Sequence, residues 1–103
     1  MDRYRAEVER RRNRRMELGC GAKLFVRGQA EPLEAVCTEL SVGGLAVHAG
    51  YVPRADEVLE VLVAAPRGGV ARPPLRVRAV VRRCQRLSSG DYEIGLEIVD
   101  VLE

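Results

Sequence analysis

From residue 22 onward, apolar and polar residues alternate or form short apolar runs, in six segments. In the last segment, acidic residues occupy one face and apolar residues the other: Tyr92, Ile94, Leu96 and Ile98. A period of two is typical of a β-strand that buries one of its faces. The sequence therefore predicts six strands, within AKLFVRG, LEAVCTELS, LAVHA, EVLEVLVAA, LRVRAVVRRCQRL and DYEIGLEIVDV.

The segments between these strands are rich in Gly, Pro, Ser or Asp, which is the composition of turns. No segment after residue 18 has the pattern of a crossover helix, so an antiparallel meander is favoured over parallel pairing. Six twisted strands in a short chain close most economically on themselves, because closure leaves no exposed edge. The predicted fold class is all-β, a small six-stranded antiparallel β-barrel. Its expected inward residues are Leu24, Val26, Val36, Leu45, Val47, Val61, Val63, Val77, Ala79, Ile94, Leu96 and Ile98.

The segment before the strands has a different composition. Residues 1–16 carry seven arginines against three acidic residues, whereas the rest of the chain carries ten basic and twelve acidic residues. The stretch DRYRAEVERRRNRRMEL contains no Gly or Pro and is compatible with a partly helical arm that ends at Gly19 and Gly21. The predicted organisation is an arginine-rich N-terminal arm over residues 1–18 and a barrel domain over residues 19–103. An anionic ligand is expected at the arm, where the positive potential is concentrated.

Length and hydropathy narrow the class of protein. A chain of 103 residues corresponds to one domain. Its longest stretch without a formal charge, LSVGGLAVHAGYVP, is too short and too rich in glycine to span a bilayer. The N-terminus is charged and does not have the pattern of a signal peptide, so a cytoplasmic location without a membrane span is expected.

The cysteines and the single histidine do not form a recognisable metal motif. Cys20, Cys37 and Cys84 are scattered, and no CxxC pair occurs. A tetrahedral metal site needs four clustered ligands, so no metal site is predicted. The cysteines are interpreted as small buried hydrophobic residues in a reducing compartment, and His48 as a residue at a strand end.

Candidate catalytic residues are also missing from the pattern. Ser41 has no His or Asp in a motif around it, and Asp56 and Glu57 precede a strand as surface residues, so no enzymatic activity is predicted. The chain has one Phe, three Tyr and no Trp, which offers few stacking faces for single-stranded nucleic acid. These observations argue against an enzyme and against a nucleic-acid-binding barrel.

Two short elements carry a resemblance to a known family. ERRRNRR lies in the arm, and ELSVGG lies between the second and third predicted strands of a barrel that ends in YEIGLEIVDV. In this order they resemble the PilZ domain family, whose members bind the bacterial second messenger cyclic di-GMP. The family's pattern is RxxxR before the first strand and [DN]xSxxG between the second and third. The resemblance covers nearly the entire chain from about residue 9 onward.

The RxxxR element falls on Arg11 and Arg15, with Arg10 as the common preceding arginine, and the pair Arg10 and Arg14 also satisfies the spacing. Guanidinium groups match the phosphodiester anions and the O6 and N7 edge of guanine, which explains arginine at these positions. The arginines of LRVRAVVRRCQR are interpreted as the solvent face of one strand, with the alternative that some of them border the ligand.

The second element falls on Glu39, Ser41 and Gly44, with Glu39 where the family has Asp or Asn. The Ser41 hydroxyl is expected to donate to a phosphate or to accept from the guanine. Gly43 and Gly44 are expected to allow close backbone approach or a positive φ. Together with the three arginines, these four residues are the predicted ligand-binding residues.

The resemblance implies a receptor that binds cyclic di-GMP, orders its arm on binding and relays the signal to a downstream protein. No other cofactor is predicted. Glu39 favours an alternative, a PilZ-like adaptor that does not bind cyclic di-GMP and acts through protein contacts. Sequence-independent RNA binding by the arm is the third hypothesis and has the least support.

Overall fold

The computed structural model describes residues 16–64 and 74–102 of the chain, with the backbone alone at residues 16–18. Within these ranges the chain is all strand and turn, and the predicted all-β class is confirmed. The six strands are β1 (Met16–Phe25), β2 (Leu33–Leu40), β3 (Gly44–Ala49), β4 (Val58–Val63), β5 (Leu75–Arg86) and β6 (Tyr92–Val101).

The strands close into a barrel in the order β1-β2-β3-β6-β5-β4, and every neighbouring pair is antiparallel. The expectation of a single meander is wrong, because β3 pairs with β6 and β4 pairs with β1. Two three-stranded meanders are instead joined by residues 50–57. The end of this connection is hydrogen-bonded to β5, because Asp56 N–H donates to the carbonyl of Val81 and Val81 N–H donates to the carbonyl of Glu57. A connection of this length can cross from one meander to the other, which a tight hairpin cannot do.

The barrel interior contains most of the residues that the alternation predicted. Nine of the twelve expected inward side chains are buried: Leu24, Leu45, Val47, Val61, Val63, Val77, Ala79, Ile94 and Leu96. Val26 and Ile98 are partly buried and pack against this core. Burial of aliphatic side chains at about 25 cal/mol per Å² of apolar area is the main force that holds the barrel together.

On β2 the predicted face is wrong. Val36 is 43% exposed, whereas its neighbours Ala35 and Cys37 are buried. Successive side chains of a strand point to opposite faces, so these two small residues inside require the valine outside. The interior between β1 and β3 is therefore lined by small side chains, which suits the tight curvature of a six-stranded barrel.

Two of the three cysteines are buried in the barrel and the third is exposed. Cys20 and Cys37 are buried and directly opposite each other on β1 and β2, as small hydrophobic residues. Cys84 on β5 is exposed, and its predicted burial is wrong. It follows an irregularity in the β5–β6 register between Val81 and Arg83, after which the β5 side chains up to Arg86 all face solvent.

The first strand begins earlier than its alternation indicated. β1 starts at Met16 and includes Gly19 and Gly21, so these glycines lie within a strand and do not end a helix. Pairing with β2 supplies ladder hydrogen bonds that override the local helix propensity of residues 16–18. Residues 1–15 lie outside the described residues, and the arm with its boundary at residue 18 stays a prediction.

Candidate functional site

The turn between β2 and β3 contains the second motif and is held by its own hydrogen bonds. Ser41 donates twice to the carbonyl oxygen of Gly44, from its backbone N–H at 2.8 Å and from its hydroxyl at 3.2 Å. The carbonyl of Gly43 accepts from the N–H of Ile98 on β6 at 2.9 Å. The turn is therefore fixed both internally and to the neighbouring strand. Because the Ser41 hydroxyl hydrogen is already used, its oxygen lone pairs are what remain for a ligand.

Gly44 owes its place to a close backbone approach, one of the two expected reasons. A Cβ atom there would collide with the carbonyl oxygen of Leu96 on β6, and the residue does not have a positive φ. The approaching group is the barrel's own backbone. This glycine therefore has a structural role before any ligand is considered.

A β-bulge places Glu39 beside this turn. Cys37 pairs with Val47 and Glu39 pairs with Ala46, so Thr38 is an extra residue on β2. The Thr38 hydroxyl donates to the carbonyl of Ala46 at 3.4 Å. A bulge of this kind bends a strand and changes the direction of the side chains that follow it. It brings the half-buried Glu39 to the rim of a pocket.

The pocket has a volume of about 250 Å³ and lies over β3, between the Ser41 turn and β5. It brings together Glu39, Ser41 and Gly44, while Gly43 belongs to the same turn. The opposite wall is formed by β5 and β6 and includes Arg82, Arg83, Gly95 and Glu97. The predicted residues Arg10, Arg11 and Arg15 lie outside the described residues.

The start of β1 lies at the same end of the barrel as this pocket. Met16 pairs with Leu40, and the next registered pair joins Glu17 to Glu39. Arg15 directly precedes Met16 in the sequence. The first described residue of β1 therefore lies beside Leu40, which is part of the ExSxxG element. Consecutive Cα atoms are about 3.8 Å apart, so the position that precedes Met16 in the sequence is one such step away.

Arg82 is one of the two arginines that line the pocket and that the motif left out. Its Nη1 lies 2.9 Å from Oδ1 of Asp56 and its Nε lies 2.8 Å from Oε1 of Glu97. The hydrogen bond to Glu97 is the main cause that raises the pKa of the Arg82 guanidinium. Arg82 is therefore neutralised by two carboxylates at the rim.

The arginines of β5 follow both interpretations given above, since some face solvent and others border the pocket. Arg76 and Arg78 face solvent and pair with Glu60 and Asp100, as a solvent face predicts. Arg82 and Arg83 instead border the pocket. The signal in the sequence is the doublet RR in AVVRRCQR, which interrupts the alternation of β5 and coincides with the bulge.

Two further polar contacts lie away from this pocket. The His48 Nε2 lies 3.1 Å from Oε2 of Glu93 across β3 and β6, so the histidine has a carboxylate neighbour that the local sequence does not contain. The Tyr51 hydroxyl donates to Glu57 at 2.7 Å, and burial with this contact raises the pKa of Tyr51 to about 12. Among the described side chains, those of residues 19–64 and 74–102, no three His, Cys, Asp or Glu come together as metal ligands.

Comparison with known proteins identifies both the sequence pattern and the fold. A sequence model for the family described as PilZ domain matches residues 9–103. The fold is similar to the solved structure of the Bacillus subtilis inhibitor of motility, MotI/DgrA, with a TM-score of 0.71 and 20% sequence identity. The similarity covers 84% of this chain and 41% of that chain, so this chain spans well under half of that protein. A search of curated protein sequences finds no match. None of the described residues forms a helix long and apolar enough to cross a membrane.

Proposed function

This chain belongs to the PilZ domain family, and we propose that it is a receptor that binds cyclic di-GMP and relays this signal to a partner protein. PilZ domains are regulatory domains that bind this dinucleotide, so the proposed activity is recognition without catalysis. The proposed location is the cytoplasm, where the second messenger is found. The partner is proposed only as a protein that contacts the liganded face.

The observation that carries the proposal is the register of β1 with β2. Met16 pairs with Leu40, so the residue after Arg15 lies beside the turn that contains Ser41. The strand that directly follows the RxxxR motif in the sequence therefore runs beside the turn that contains the second motif. This arrangement supports a site in which arm arginines and turn residues contact the same ligand.

The chemistry of the turn supports recognition of a guanine. The Ser41 hydroxyl donates to Gly44, so its oxygen is suited to accept from a guanine N–H and less suited to donate to a phosphate. The Glu39 carboxylate offers further acceptors for the Watson–Crick edge. Arg11 and Arg15 would supply the donors that phosphodiester anions and the O6 and N7 edge require. Arm and turn would thus have complementary roles.

The binding test is calorimetric titration of cyclic di-GMP into this protein and into the Arg11→Ala, Arg15→Ala double variant, with linear GMP as the ligand control. Each charge-assisted hydrogen bond contributes roughly 1.5–3 kcal/mol, so the double variant should lose at least about tenfold in affinity. Arg3→Ala, Arg5→Ala is the matched control, because it removes the same charge from the arm outside RxxxR. Binding that is retained in the control and lost in the double variant is the expected result.

The adaptor alternative rests on Glu39, which replaces the Asp or Asn of the family. The similar protein from B. subtilis is named an inhibitor of motility, which is compatible with action through a protein partner. Absence of any heat or competition with cyclic di-GMP would contradict the receptor and favour the adaptor. The arm ordering on binding would be tested by hydrogen exchange of residues 1–15, where equal protection with and without ligand would contradict it.

A further inference from the structure

A second β-bulge determines where the β5 arginines point. Val81 pairs with Leu96 and Arg83 pairs with Gly95, so Arg82 is an extra residue on β5. Strict alternation would turn Arg83 toward the interior after the outward Arg82. Because of the bulge both arginines are exposed, although Val81 just before them is buried. Bulges that redirect a side chain in this way are frequent beside binding sites.

The Arg83 side chain packs directly against the backbone of Gly95. A Cβ atom on Gly95 would lie 2.5 Å from Nε, 2.7 Å from Cγ and 3.1 Å from Cδ of Arg83. The stem of the arginine therefore lies directly across the glycine, which is buried beneath it. Any larger residue would move the guanidinium away from this wall of the pocket.

The two neighbouring arginines differ in their electrostatic state. Arg82 pairs with Asp56 and Glu97. Arg83 forms no ion pair or hydrogen bond with the side chains that the structure describes, those of residues 19–64 and 74–102, although it lines the pocket with Ser41. The described part of the pocket thus contains one arginine that makes no direct contact with a described carboxylate.

We propose that Arg83 is a further ligand-binding residue, which donates from its guanidinium to a phosphodiester oxygen of the cyclic dinucleotide, and that Gly95 positions it. The inference rests on the proposed function, since it assigns a residue to the same pocket. In this arrangement the wall formed by β5 and β6 contacts the phosphodiester anion, while the turn on the opposite wall contacts the guanine base. An anion is the expected contact because the pocket wall offers a cation without an ion-pair partner among the described side chains.

The test compares four single variants and one double variant with the parent by titration of cyclic di-GMP. Loss of a charge-assisted contact in Arg83→Ala should weaken binding by about tenfold. Arg83→Lys keeps the charge and should recover part of the affinity that alanine loses, since an ammonium can donate to one phosphodiester oxygen but lacks the planar fork. Arg86→Ala is the matched control, because Arg86 is an exposed arginine of β5 that does not line the pocket. Its affinity should equal that of the parent.

Gly95→Ala distinguishes positioning from general packing. It should weaken binding in the parent and add no further loss in the Arg83→Ala background, because its effect acts through the displaced guanidinium. Thermal unfolding of each variant verifies that the barrel is intact. The double variant is compared with Arg83→Ala and not with the parent. A loss of affinity caused only by lower stability would therefore appear in both backgrounds, whereas a loss that acts through Arg83 appears only in the parent.

Each outcome separates the inference from the proposed function. If the parent binds cyclic di-GMP and Arg83→Ala binds it with the same affinity, the inference about Arg83 is overturned, whereas the proposed receptor function is retained. Equal losses in Arg83→Ala and Arg86→Ala also overturn it, because they indicate only the overall charge. A lysine variant as weak as the alanine variant overturns the phosphodiester contact in favour of a guanine edge. A parent that does not bind cyclic di-GMP overturns both proposals.

Discussion

Gly44 and Leu96 approach so closely across the seam between β3 and β6 that a Cβ atom on Gly44 would lie 2.6 Å from the Leu96 carbonyl oxygen. This seam joins the two three-stranded meanders of the barrel. A glycine that belongs to the proposed ligand-binding motif is thus also required by the packing of two strands. Loss of binding in a Gly44 variant would therefore not by itself identify a ligand contact.

Gly44→Ala is expected to destabilise the barrel by roughly 1–3 kcal/mol, because the new methyl group meets backbone that cannot rotate away. Urea unfolding measures the change. Gly21→Ala is the matched control, since a Cβ on Gly21 meets nothing within 4 Å and the residue has no positive φ. It should be neutral or slightly stabilising, because alanine has less freedom to lose on folding. Equal stability of the two variants would contradict the assigned role of Gly44.

Ser41→Ala is expected to separate binding from stability. The backbone N–H of Ser41 still donates to Gly44 at 2.8 Å after the hydroxyl is removed, so the turn should persist. We expect the free energy of unfolding to lie within about 0.5–1.5 kcal/mol of the parent value, the range for one neutral hydrogen bond. Affinity for cyclic di-GMP should fall by about tenfold if the hydroxyl accepts from guanine. Unchanged affinity in a stable variant would exclude the hydroxyl as a ligand contact.

The alternation of β6 predicted its inward face, since apolar and acidic residues there are cleanly separated. On β2 the run Ala35, Val36, Cys37 is apolar on both faces, so the hydrophobic pattern does not specify which face is inside. Packing volume decides it, and volume depends on strands that are distant in the sequence. The choice of Val36 was wrong for this reason.

The same distinction between local and non-local information applies to the pocket. Glu39, Ser41 and Gly44 lie within six consecutive residues, so a motif can identify them together. Arg83 and Gly95 become neighbours only through the register of β5 with β6. That register depends on a bulge, and nothing in the local sequence fixes its position beyond an interruption in the alternation.

The thiols are expected to react in two classes. Burial is the main cause that raises the pKa of the Cys37 thiol from its ordinary value of 9.0 to about 12, and the neighbouring Cys20 adds to it. Cys84 is exposed, although partial desolvation also raises its pKa. At pH 8 a chromogenic disulfide reagent should therefore label one thiol in the native protein and three in urea. Cys84→Ser should remove the native reaction, whereas labelling of Cys37 before unfolding would contradict the burial.

The raised pKa of Cys37 also sets a direction for stability at high pH. The folded state holds the thiol proton more tightly than the unfolded state, so this group stabilises the fold fully below pH 9. That contribution is lost as the pH rises from 9 toward 12. Urea unfolding of Cys37→Ala across this range is the measurement, and the variant should show a weaker loss of stability with pH than the parent. A parallel decline in both proteins would assign the pH dependence to other groups.

Glu39→Asp is expected to strengthen the binding of cyclic di-GMP. Glu39 lies at the pocket rim after the β2 bulge and keeps the carboxylate of the family motif, with one more methylene and one more rotatable bond. Freezing an additional rotor costs roughly 0.5–1 kcal/mol, so removal of that rotor should tighten binding by about two- to fivefold. Glu39→Gln is the matched control, because it keeps the length and removes the charge, and it should weaken binding. Calorimetric titration of both variants tests the sign of each effect. If the aspartate variant binds no better than the parent, the longer side chain is already accommodated, and Glu39 then no longer favours an adaptor over a receptor.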